Sequence, residues 1–174
     1  MREQQQGVSD EAVMTRIGQT RMLLHGGDRE EARNRFAALW RQIGEHGAPL
    51  HRCTLAHYMA DAQDDPGDEL AWDLRALTAA ESAADSGFGA GWAGSGAAAG
   101  DGPRAEGGSA AALRALYPSL QLNLAADYAK LHRPDAARAH LARARATAED
   151  LAQDGYGTRV RAAIARLERR LYGG

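Results

Sequence analysis

Two stretches decide how this chain folds. The first reads Leu23-Leu24-His25-Gly26-Gly27-Asp28-Arg29-Glu30-Glu31-Ala32 and continues to Phe36 and Leu39; the second reads Leu124-Ala125-Ala126-Asp127-Tyr128, passes Leu131-His132-Arg133-Pro134, and continues to Ala137, Leu141 and Ala144. In both, a short turn joins two apolar-striped segments. A small residue sits early in the second segment, with apolar residues four and seven positions later. Apolar positions at that spacing share one face of an α-helix. Two helices joined in this way cannot bury their own stripes and need a neighbouring hairpin.

The same period extends outward from both stretches. Val13, Ile17 and Leu24 form a stripe after Ser9, a candidate N-cap, and Gly26-Gly27 ends that helix. Asp28 and Glu31 have the spacing of a capping box, and Ala32, Phe36, Leu39, Trp40 and Ile43 follow as the next stripe. Pro49 suits the first turn of a third helix through Leu55, Tyr58 and Met59, while Asp65-Pro66 starts a fourth with Leu70, Leu74 and Leu77. Ser109 is a candidate cap for renewed helix, which Pro118 either divides or kinks. Leu120, Leu124, Tyr128 and Leu131 carry the fifth main helix. Ala137, Leu141, Ala144, Ala148 and Leu151 carry the sixth, and Val160, Ile164, Leu167 and Leu171 the last. No stretch alternates as a strand would. Trp40, Trp72 and Tyr58 are expected to pack between helices.

The 174 residues suffice for one domain with a real core, and few aromatics with much alanine favour close helix–helix contact. Expected boundaries are a disordered 1–8, a single helical domain over 9–174, and a flexible glycine-rich insertion at 85–108. Phe88 and Trp92 within that insertion fit a lid, a recognition segment or residues tolerated in a disordered insert. A net charge of −2 argues against a general nucleic-acid binder, and a single cysteine, Cys53, rules out an intrachain disulfide. With no apolar leader and no apolar run of membrane-spanning length, the expectation is a cytoplasmic protein off the membrane.

The quoted residues resemble tetratricopeptide (TPR) hairpins. Gly27-Asp28, Ala32, Phe36 and Leu39 match the family's turn and second helix; Leu124, Ala125, Tyr128, Ala137, Leu141 and Ala144 match both helices of a unit. The middle unit, Leu55-Ala56 and Met59 followed by Leu70, Leu74 and Leu77, fits with roughly two extra residues in its turn, so the period of about 34 residues is broken. The resemblance implies an all-α fold of antiparallel hairpins, stacked as a short right-handed solenoid under a C-terminal capping helix. It also implies a concave groove that binds another protein or a peptide. Carried over position by position, the groove residues are Arg21, His57, Asp61, Asn123, Asp127 and Lys130.

Other chemistry finds less support. Cys53 and His57 stand at i, i+4 and reach one helix face, but His51 points elsewhere and no CxxC or HExxH pattern completes a metal set. A cysteine on an apolar helix reads as a small buried hydrophobe. Asp64-Asp65 and Asp68-Glu69 surround a helix start, where acids serve the helix end, and the glycine-rich stretch lacks the lysine of a phosphate loop. The expectation is a protein with no catalytic residue, metal or cofactor. The other readings are a helical sensor or accessory domain binding a small ligand or metal near Cys53 and His57, and a self-associating structural protein. The arginines of the last helix (Arg159, Arg161, Arg166, Arg169 and Arg170) form a basic outer face. It reads as a solvated face suiting the helix's negative end, or as one contacting nucleic acid or an acidic partner.

Overall fold

The two turns quoted above close in the same way. At the first, Gly27 adopts φ +95°, and Asp28 N–H donates to Leu23 O at 3.0 Å. At the second, His132 adopts φ +56°, and Arg133 N–H donates to Tyr128 O at 2.8 Å. A left-handed residue followed by a bond back across the last turn is the usual way to satisfy the final carbonyls of a helix.

The computed structural model describes residues 2–83 and 104–173, with side chains over 11–83 and 108–173. Among these residues it is all-helical, with seven helices: α1 (Arg2–His25), α2 (Arg29–Ile43), α3 (Pro49–Asp61), α4 (Pro66–Ala83), α5 (Arg104–Lys130), α6 (Pro134–Ala148) and α7 (Gly155–Tyr172). The chain divides into two units, Met1–Ala79 and Ala80–Gly174, with the division inside α4. Phe88 and Trp92 lie outside the described residues.

In the first unit α1, α2 and α3 pack against one another. Their core holds Ile17, Phe36, Leu39, Leu55 and Met59, closed by Ala32 and Ala62. Small residues let the backbones approach, and Phe36 fills the space between them. Trp40 and Trp72 meet edge to face at 5.2 Å, and Tyr58 stacks on Phe36, so all three aromatics named from the sequence are packing residues. Arg29 and Arg33 bind Asp64 at 3.6 and 3.1 Å and tie α2 to the α3–α4 turn.

In the second unit α5, α6 and α7 make the corresponding triangle. Its core holds Leu141, Val160, Ile164 and Leu167 against Ala125, Ala144 and Ala148. Gly157 is required at the start of α7, because a Cβ there would lie 2.2 Å from Ala152 O.

Helix starts are where the structure departs most from sequence expectation. α1 begins at Arg2, ahead of Ser9, and α5 begins at Arg104, which leaves Ser109 inside a helix. Both extensions run through residues with no proline to stop them. Pro118 lies buried within a continuous α5. Asp28 occupies the N-cap position of α2 but makes no side-chain cap bond, and Glu31 accepts from Arg35 instead, so no capping box forms. Asp65 does cap: its carboxylate accepts from Gly67 N and Asp68 N at 2.8 and 3.1 Å.

Candidate functional site

The row predicted on α3 forms, with Cys53, His57 and Asp61 on successive turns. Cys53 is fully buried, and burial together with the charge of Asp73 pushes its thiol up to about 12. A thiol of that acidity is protonated at neutral pH and packs as a small hydrophobe. Among the described residues no group of three or more His, Cys, Asp or Glu has the arrangement to hold a metal ion.

His57 and Asp61 are in a different situation. His57 is half-buried, and its Nδ1 lies 3.5 Å from Oδ1 of Asp73 on α4. Burial alone would lower the basicity of His57. The adjacent Asp73, helped by Asp61, outweighs it, and the ring is held above the ordinary histidine value. Asp61 is raised above the usual carboxylate range, by partial burial first and then by the charges of Asp73 and Glu69, against the pull of His57 and His25.

Arg21, the α1 member of the predicted set, places its guanidinium 5.1 Å from the centroid of the Tyr58 ring, and the His57 ring lies 5.3 Å from that same centroid. Thus Arg21 and His57 gather on Tyr58, and Asp61 continues the face one turn on. The result is a surface with a cation, an imidazole and a carboxylate in sequence.

Asp73 was not foreseen. Its side chain is 1% exposed, and neither carboxylate oxygen accepts a hydrogen bond from a described residue. A buried carboxylate in that state is costly, and among the described residues its ion pair with His57 offsets the cost. The sequence pointed the other way: it assigns Leu70, Leu74 and Leu77 to the apolar stripe of α4, whereas Leu74 is 38% exposed and the buried face carries Asp73 with Ala76, Ala79 and Ala80.

The predicted residues of the second unit lie on α5. Asp127 is buried and pairs with Lys130, Nζ to Oδ1 at 3.4 Å, while Asn123 stands one turn before Asp127. Also unforeseen is a neutral cluster nearby. His140 Nδ1 lies 2.8 Å from Gln121 Oε1, and its ring stacks on Tyr128 at 5.2 Å. Burial, then the charge of Arg143, lowers the basicity of His140.

No helix among the described residues is long and apolar enough to cross a membrane. Comparison of the chain with protein-family models, curated proteins and solved structures finds no match.

Proposed function

We propose that this chain is an interaction protein that binds a polypeptide on the face carrying Arg21, His57 and Asp61. The observation that carries this reading is the gathering of Arg21 and His57 around Tyr58, with Asp61 beside them and Asp73 buried behind. Side chains held by ring contacts and a buried ion pair lose little freedom on binding, which favours recognition. A guanidinium and a carboxylate side by side match the charges of a peptide segment of mixed sequence, and Asn123, Asp127 and Lys130 give α5 a comparable polar character. On this reading the hairpins belong to a short right-handed TPR-like solenoid with α7 as its cap. The resemblance of the two turns and their following stripes to TPR hairpins supports that arrangement.

The test starts with affinity capture by the full chain, followed by titration of the captured polypeptide, purified, against wild type and an Arg21→Glu/Asp61→Ala variant. Both positions are exposed, so circular dichroism should show unchanged helix content. Binding should weaken by about tenfold or more, equivalent to about 1.4 kcal/mol. Equal affinity for wild type and variant would remove this face from the account.

A further inference from the structure

The second unit carries an independent surface on α7. Arg159, Arg166, Arg169 and Arg170 are all exposed, and no side chain among the four pairs or hydrogen-bonds with a described residue. At 100° per residue they share one face, opposite buried Val160, Ile164 and Leu167. Like charges three and four residues apart repel. The negative end of the helix accounts for Arg169 and Arg170 in the last turn, but Arg159 and Arg166 lie too far from it.

This face is held rigidly. Arg161 donates to Ala148 O, Leu151 O and Ala152 O at 3.0–3.2 Å, and the Asp154 carboxylate accepts from Gly157 N at 2.8 Å. The Tyr156 hydroxyl lies 3.1 Å from Ala115 O of α5. Beside the arginines, α6 and α7 line an open cleft of about 540 Å³, with Leu141 and Ala142 on the α6 side and Arg169 and Tyr172 on the other. The carboxylate of Glu168 in its wall is neutralised by Arg145 at 3.4 Å. Tyr172 is 60% exposed, with the Arg138 guanidinium 5.6 Å from its ring centroid.

We infer that this face binds an acidic polypeptide segment, whose carboxylates meet the α7 arginines and whose apolar side chain enters the cleft beside Tyr172. Arginine suits carboxylates because its fork donates two parallel hydrogen bonds. Single-stranded nucleic acid fits less well. It calls for a row of stacking aromatics, whereas one ring is offered here and an arginine already lies over it. Membrane insertion is blocked because the apolar face of α7 is consumed in the core of its own unit.

The probe is a fluorescein-labelled peptide with one leucine flanked by glutamates, followed by fluorescence anisotropy at low salt against the full chain. Wild type should bind, and added salt should weaken the complex. Arg166→Glu/Arg170→Glu should lose at least tenfold, Tyr172→Ala a smaller factor, and a glutamine-for-glutamate peptide should not bind. Arg166→Gln/Arg170→Gln repeats the test should charge reversal disturb folding. The Arg21→Glu/Asp61→Ala variant should bind this probe as wild type does, which separates this surface from the one proposed above. Absence of binding, unchanged affinity in both arginine variants, or tighter binding of an oligothymidylate would each overturn the inference.

Discussion

The α1–α2 and α5–α6 hairpins use one design with different residues. Ala32 corresponds to Ala137, Phe36 to Leu141, and Leu39 to Ala144, and all six are buried. Gly27 corresponds to His132, and both adopt positive φ. The first hairpin therefore places a bulky ring at its centre and a glycine where the backbone needs one. The second packs smaller side chains and forces an ordinary residue into the left-handed region. Identical hydrogen bonding across the two turns shows that the turn is set by the backbone geometry of a closing hairpin, while side chains set only its cost.

The core gives the largest expected contrast. Phe36→Ala should destabilise by about 3–5 kcal/mol and Leu141→Ala by about 2–5 kcal/mol, because each leaves a cavity in a fully packed site. Hydrogen exchange should show faster opening of α2 in the first variant and of α6 in the second; equal loosening of both helices by either change would merge the two cores into one cooperative whole.

The turns give a smaller contrast of opposite sign. Gly27→Ala should cost about 1 kcal/mol, since a Cβ meets the left-handed penalty, while His132→Gly should gain about 1 kcal/mol by relieving it. Urea midpoints of the two variants on either side of wild type would establish that the turns are equivalent. Movement in the same direction would show that His132 has a role beyond the backbone.

Titration sharpens the difference between the units. His57 holds its proton more tightly than the ordinary 6.5, so its contribution to stability is full below about pH 6.5 and fades as pH rises through its raised folded value. His140 holds its proton less tightly, so its contribution is present above about pH 6.5 and is lost as pH falls through its lowered value. His57→Gln should therefore cost more stability at about pH 5.5 than at about pH 8.5, and His140→Gln should show the reverse. Proton titration of the two rings by NMR checks the directions, with one moving up and the other down.

Legibility followed distance along the chain. The all-α class, the positions of the hairpin turns, and the packing roles of Trp40, Trp72 and Tyr58 depend on spacings within one or two helical turns, which sequence displays directly. Arg21, His57 and Asp61 come from positions carried over from the TPR resemblance, not from spacing in this chain. Their association with Asp73 could not be read in either way, because His57 and Asp73 meet across α3 and α4 and no local rule places a bare carboxylate there. The helix starts at Arg2 and Arg104 were obscured for another reason: Ser9 and Ser109 have the chemistry of a cap, but a cap acts only where the chain already turns.

The sequence by itself determined the all-α class and the hairpin turns, because periodicity and local sterics act within a few residues. It misplaced the starts of α1 and α5 and the buried face of α4, where Leu74 is exposed and Asp73, Ala76 and Ala80 are buried. Tertiary structure alone decided which charges are buried and which histidine holds its proton more tightly than usual. Those outcomes depend on the dielectric and the neighbours that other helices bring, and a change in either can reverse the preferred protonation state of the same side chain.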